Sequence, residues 1–209
     1  MVEVFNLLVA SSRQRVNTQA VSDISSRMRP IRLNPTPILD LDSRLLRYSP
    51  TKIREIGGVA ESVLTAFRGL VAGTQPWPLL LHGEPGTGKT CAALALLDHA
   101  LTGAYVTCTE LVERTHKGYN GGIGIRWEEH FGPQRRCLVV LDELGTRKTI
   151  TDTHYECVQR MLDLREHYPL ILISNLGPDE IANLYDDRIA SRCVAGTRVE
   201  LKGIDRRAD

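Results

Sequence analysis

No excess charge of either sign marks this chain. Its 209 residues hold 26 Lys and Arg against 25 Asp and Glu, a formal net charge of +1. A nucleic-acid-binding surface would therefore have to be a local patch, because no global basic character is present. No apolar run approaches the length of a bilayer span, which argues against a membrane helix. The first eight residues, Met1 to Leu8, carry Glu3 where a secretory signal needs positive charge. The five cysteines, at 91, 108, 137, 157 and 193, lack the spacing of a metal knuckle, and their odd number argues against a disulfide framework. Most fall in segments that read as core strand or helix, where cysteine acts as a small hydrophobe, so a cytoplasmic protein is expected. No internal repeat is visible. The length suits one α/β domain with a proper core plus a small appendage.

The pattern divides the chain into an arm and linker over 1–37 and a main domain over 38–209. Residues 1 to about 29 read as two helical pieces, with Val16, Ala20, Val21, Ile24 and Met28 on one face of the second. Arg13, Arg15, Arg27 and Arg29 make this arm locally basic, either as a helix packed on the main domain or as a partner-binding arm. Pro30, Pro35 and Pro37 mark the linker, and Ser49-Pro50 is a helix-start signal. Val59, Val63, Phe67, Leu70 and Val71 form the stripe of a helix that ends by Gly73. From there strands and helices alternate. Strands are expected at Leu79–His82, Ala104–Cys108, Cys137–Leu141, Leu170–Ser174 and Arg198–Lys202. Helices are expected after Cys91, from Glu110 to about Lys117, near Thr153 to His167, over Pro178–Leu184 and over Arg188–Val194. This alternation predicts a five-stranded, mostly parallel, doubly wound sheet, whose ligands bind at the carboxyl ends of the strands.

The motifs lie at those ends. Gly83, Glu84, Pro85, Gly86, Thr87, Gly88, Lys89 and Thr90 fit the P-loop pattern G-x-x-x-x-G-K-[ST], between a short apolar strand and an Ala/Leu-rich helix that opens with Cys91. The glycines let backbone N–H groups curl round phosphate oxygens, and the helix start adds donors and its positive dipole end. Lys89 can then reach the β- and γ-phosphates of ATP, and the Thr90 hydroxyl can ligate Mg²⁺. About fifty residues on, an apolar strand meets Asp142-Glu143, the Walker B pattern. Asp142 is the expected holder of Mg²⁺ and Glu143 the general base for water. Asn175, at the end of the Leu170–Ser174 strand, either positions water or touches the γ-phosphate, or else caps a turn. Arg188 and Arg192 fall four apart on one helical face. They suit charge stabilisation on a transferring phosphoryl group, or pairing with Asp186 or Asp187.

In this order and spacing the motifs resemble the AAA+ ATPase superfamily, and within it the DnaC-type helicase loaders and IstB-type transposition ATPases. The likeness rests on His82–Thr90, Leu141–Gly145, Leu164-Arg165, Ile171–Leu176 and Arg188–Arg192, and covers about residues 77 to 207. The resemblance implies a P-loop AAA+ base subdomain; the small N-terminal helical extension shows no clear match, and because the chain stops soon after the last strand no C-terminal lid is expected. It gives Asn175 the sensor-1 role and Arg192, supported by Arg188, the arginine-finger role. It implies slow, assembly-stimulated ATP hydrolysis in a nucleotide-dependent homo-oligomer that acts on a replicative helicase and single-stranded DNA. The same core in a transposition regulator would act with a transposase on duplex DNA. The tail matches the family terminus loosely, which leaves a sensor-2 role for Arg206 or Arg207 open.

For DNA the candidates are Lys117, Tyr119 and Arg126, in a stretch from His116 to Trp127 that mixes cations, aromatics and glycines. The alternative is a flexible loop with Trp127 anchored in the core. Arg147 and Lys148, just past the acidic pair, form a second candidate. A P-loop small-molecule kinase and an ATP-switched adaptor are the rival classes. The Asp-Glu pair and the late Ser-Arg-Cys element favour the ATPase over the kinase.

Overall fold

A computed structural model describes residues 59–100, 103–121, 124–133, 137–146 and 149–203, with 98 and 99 described by backbone alone. The arm and linker of 1–37, the Ser49-Pro50 helix start, Arg147, Lys148, Arg206 and Arg207 lie outside the described residues.

Five strands, β1 (Leu79–His82), β2 (Gly103–Thr107), β3 (Leu138–Leu144), β4 (Leu170–Ser174) and β5 (Thr197–Glu200), form one sheet in the order β2-β3-β4-β1-β5. Every pairing in it is parallel. The leucines of β1 and all five residues of β4 are buried. That is why these strands read as unbroken apolar runs: parallel sheets are covered on both faces.

The helices are α1 (Glu61–Val71), α2 (Lys89–His99), α3 (Cys108–Tyr119), α4 (Trp127–Phe131), α5 (Asp152–Leu164), α6 (Pro178–Leu184) and α7 (Asp187–Val194). Successive strand residues point to opposite faces and build two separate layers. Leu79, Leu81, Val140, Ile171 and Ile173 meet Val63 of α1 and Ala92 and Leu96 of α2. Leu80, Val139, Leu141 and Leu172 meet Leu111 of α3, Phe131 of α4, Val158 of α5, Ile181 of α6 and Ile189 of α7. The connection leaving β1 runs to the β2 edge, and the one leaving β4 runs to the β5 edge. The crevice at the carboxyl ends of these neighbours is therefore a topological switch point.

The helix α3 starts at Cys108, which was read as strand, and β5 ends at Glu200, short of Lys202; three other elements depart further from the sequence reading. β3 continues through Asp142 and Glu143 to Leu144. Its register against β4 slips from Leu141↔Leu172 to Leu144↔Ser174, so β3 carries one extra residue. α5 stops at Leu164, short of His167. His167 has a φ of 64°, and Pro169 disfavours helical backbone at Tyr168. The buried Arg165 guanidinium then donates to the carbonyls of Cys137 at 2.6 Å and Pro169 at 2.8 Å, tying the starts of β3 and β4 together. α4 was not expected. Its signal is the spacing of Trp127 and Phe131 by four, which puts both rings on one buried face, 5.8 Å apart.

None of the five cysteines forms a disulfide, and four are buried. Burial pushes the Cys193 thiol up to about 12. These thiols act as the packing groups the sequence suggested.

Candidate nucleotide site

The loop between β1 and α2 curls because its glycines allow it. Gly83, Gly86 and Gly88 have φ of 132°, 79° and 91°. At Gly83 a side chain is also excluded by contact, since a Cβ would lie 2.2 Å from the Leu201 carbonyl oxygen. Leu201 approaches so closely because its N–H donates to the His82 carbonyl at 2.8 Å. The Lys89 ammonium turns back into the loop. It donates to the carbonyls of Gly83 at 2.7 Å and Glu84 at 2.6 Å, with the Thr87 hydroxyl at 3.4 Å. Lys89 is 5% exposed. The carbonyl bonds offset part of its desolvation and hold the cation within the loop.

Thr90, one residue into α2, donates its hydroxyl to Asp142 Oδ2 at 2.9 Å. This bond joins the two motifs that the sequence keeps 52 residues apart. Asp142 is 5% exposed. Its Oδ1 accepts the Glu143 N–H at 2.6 Å, and its Oδ2 also accepts the Tyr105 hydroxyl at 2.7 Å. The hydroxyl and carboxylate oxygens of Thr90 and Asp142 are hard donors that fit Mg²⁺. Among the described residues no group of three or more His, Cys, Asp or Glu could hold a metal by itself. A cation here would take its remaining ligands from phosphate and water, as Mg²⁺ does.

Glu143 carries the extra residue of β3 with a φ of 62°, a left-handed backbone that side chains other than glycine rarely adopt. The bulge sends the Glu143 side chain to the exposed side while Asp142 stays buried. Ser174 holds this bend in place. Its hydroxyl donates to the Leu144 carbonyl at 2.7 Å and accepts the Leu176 N–H at 3.0 Å. Asn175 follows the residue that pairs with both His82 and Leu144. It is exposed, at the carboxyl ends of β1 and β3. An open hollow of about 490 Å³ adjoins it, lined by Gly145, Thr146, Leu176, Glu180 and Asn183.

The structure does not bring Arg188 or Arg192 to the P-loop of the same chain. α7 packs in the layer across the sheet from α2. Arg192 forms an ion pair with Asp163 of α5, and Arg188 is exposed. α7 is anchored through Asp186, whose carboxylate accepts the Ile189 N–H at 2.8 Å and the Tyr155 hydroxyl at 2.7 Å. These bonds, the backbone one first, hold Asp186 below the usual carboxylate range. The pairing of Arg192 falls on Asp163, neither of the two acids expected from the sequence.

Of the candidate DNA residues, Lys117 and Tyr119 lie at the far end of α3 from β2, and Tyr119 is 73% exposed. Gly118 and Gly124 close the loop between them, since a Cβ on Gly124 would come within 2.8 Å of the Gly118 Cα. Arg126 pairs with Glu129 at 2.8 Å. Trp127 is 7% exposed, beneath the Arg160 guanidinium, so it is a core anchor and offers no ring for stacking.

Sequence reasoning missed Tyr105, Ser174 and Asp163. Each acts through a partner at least 29 residues distant. The period of β2 places Tyr105 on the face of Thr107, but nothing local shows which strand it will meet.

The parallel sheet, its strand order and the glycine loop between β1 and α2 define the class of fold, that of the AAA+ P-loop NTPase domain. Among solved structures it is similar to AMPPCP-bound DnaA from Aquifex aeolicus, with a TM-score of 0.53 and 18% identity over 82% of this chain and 52% of that one. It is also similar to replication initiator DnaA bound to AMPPCP and single-stranded DNA, with a TM-score of 0.54 and 17% identity over 83% and 52% of the two chains. Domain III of the Thermotoga maritima replication initiation protein DnaA gives a TM-score of 0.57 and 17% identity over 75% and 67%. The chain thus spans about half the length of the first two DnaA structures. At these identities the likeness is one of fold. No protein-family model matches the sequence, and no match is found among the curated proteins.

Proposed function

We propose that this chain is an AAA+ ATPase that works on DNA in replication, as a loader acting on a replicative helicase and single-stranded DNA. The observation that carries the ATPase reading is the 2.9 Å bond from Thr90 to Asp142, which sets P-loop and acidic strand end in one site. Lys89 exchanges its loop carbonyls for the β- and γ-phosphates. Thr90 and Asp142 hold Mg²⁺, which when bound neutralises charge on the phosphate oxygens. Glu143, turned outward by its bulge, accepts the proton of the attacking water, and Asn175 orients that water. Arg192 leaves Asp163 and completes the site of a neighbouring subunit, with Arg188 beside it. Catalysis is thereby tied to a nucleotide-dependent homo-oligomer. The main domain begins near residue 38, and 1–37 serves as an arm.

The DNA part rests on the exposed Tyr119 ring, suited to stacking a base, with Lys117 and Arg126 as the cations of the same stretch; Arg126 would first leave its partner Glu129. It draws support from the DnaA structure that holds single-stranded DNA.

The decisive experiment uses Glu143→Gln. This variant is expected to bind ATP while its turnover falls roughly 10²–10⁴-fold. Loaded with ATP, it should retain a replicative helicase from host lysate. Capture of a transposase, with ATP-dependent assembly on duplex DNA, would replace the loader reading by the transposition one. Turnover equal to wild type would remove Glu143 as the base. Phosphoryl transfer to an acceptor other than water would point to the kinase class.

A further inference from the structure

Asp142 meets an oxygen donor that no motif contains. In the β2–β3 pairing Tyr105 stands opposite Val140, and Thr107 opposite Asp142. Tyr105 is therefore the diagonal neighbour of Asp142 on one face of the sheet, a separation that an aromatic side chain spans. The ring packs with the layer of α1 and α2, beside the helix that carries Thr90. Its hydroxyl donates to Asp142 Oδ2 at 2.7 Å, the same oxygen that accepts from Thr90 at 2.9 Å. The other oxygen accepts the Glu143 N–H. A carboxylate offers about four acceptor positions, so these three donors leave it little freedom to turn.

We propose that Tyr105 is a positioning residue for the cation half of the site, orienting the Asp142 carboxylate so that Oδ2 is presented beside Thr90. This rests on the reading that a nucleotide and Mg²⁺ bind here. Without the phenolic hydroxyl, Oδ2 keeps only the Thr90 hydroxyl and Oδ1 the Glu143 N–H, so the carboxylate is held less firmly in the orientation that faces Thr90. The consequence concerns the cation. Lys89 and the loop glycines are untouched, so nucleotide binding without Mg²⁺ should be unchanged.

The test is Tyr105→Phe in the full chain, which keeps the ring and its packing. Non-hydrolysable ATP analogue is titrated by calorimetry without Mg²⁺ and then over a range of Mg²⁺. Partners that orient metal ligands are worth about 10–100-fold in metal affinity. The Mg²⁺ concentration for half-maximal enhancement of binding should therefore rise about tenfold or more. The Mg²⁺-free affinity should match wild type, and ATP turnover should recover at saturating Mg²⁺. In an Asp142→Asn background the same change should have little further effect, because Tyr105 acts through that carboxylate. Equal Mg²⁺ half-saturation in wild type and Tyr105→Phe overturns the inference and leaves the nucleotide reading standing. A wild type whose nucleotide binding ignores Mg²⁺ removes both. A loss of Mg²⁺-free affinity matching the loss with Mg²⁺ reduces Tyr105 to a packing residue.

Discussion

Asp142 accepts three hydrogen bonds while almost wholly buried, and Lys89, equally buried, donates to loop carbonyls. Two charged side chains removed from water cost several kcal/mol each unless their bonds are good, and here the bonds are short. The residues of the site are thus committed to their places by desolvation as much as by attraction. Lys89→Ala takes away both the proposed phosphate ligand and the internal strut of the loop. It is expected to abolish ATP binding, and calorimetry checks this. Affinity equal to wild type would sink the phosphate role of Lys89. Glu143 shows the complementary case, an exposed side chain whose aim is set by a left-handed backbone and by Ser174 under the bulge.

Helix ends and strand ends do the positioning at the next scale. α3 starts on Thr107, whose hydroxyl accepts the Glu110 N–H at 3.1 Å, directly where β2 ends. α6 starts on Gly177-Pro178, with Glu180 accepting the Gly177 N–H at 2.7 Å. α7 is clamped to α5 twice, by Tyr155 to Asp186 and by Arg192 to Asp163. The second clamp holds the arginine proposed to act in trans, so α7 must trade one partner for another on assembly. Arg192→Ala should keep ATP affinity within about twofold of wild type and lower assembled turnover by roughly 10³-fold. A steady-state assay at saturating protein would show no loss if no arginine acts across the interface. At the end of α3, Tyr119→Ala should weaken single-stranded DNA binding about tenfold, the worth of one stacked base. Fluorescence anisotropy reads this, and an unchanged affinity would place the DNA elsewhere.

For the molecule as a whole, the sheet separates two chemistries. α2 and the P-loop stand on one side of it, with α7 and its arginines on the other. His82 lies where β1 passes into the loop. Burial, the largest influence, lowers its pKa from 6.5; Glu200 opposes, while Arg198, Lys89 and Lys202 add to the lowering. The unfolded chain then binds more protons than the native one between the lowered value and 6.5. This contribution leaves stability intact above that window and erodes it as pH falls through it. His82→Asn should flatten the decline of the urea midpoint between about pH 7 and about pH 5 relative to wild type. Parallel curves would mean that His82 protonates alike in both states. No helix among the described residues is long and apolar enough to cross a membrane.

What the chain states on its own is whatever depends on neighbours in sequence. The loop from Gly83 to Thr90 is legible because glycine at positive φ, a lysine and a helix start work within eight residues. The five strands and most helices are legible because burial leaves unbroken apolar runs in the central strands and a period in most of the other segments. The Asp142-Glu143 pair was legible as chemistry. Its bulge was not, since an extra residue in β3 exists only relative to β4. Tyr105, Ser174 and Asp163 were silent for the same reason: a hydroxyl or carboxylate in a strand or helix acquires its meaning from a partner that register and strand order supply. The short stretches of sequence determined which groups could bind phosphate and cation. Only the tertiary structure decided which side chains hold those groups still, because a hydrogen bond across 30 to 50 residues is a property of packing.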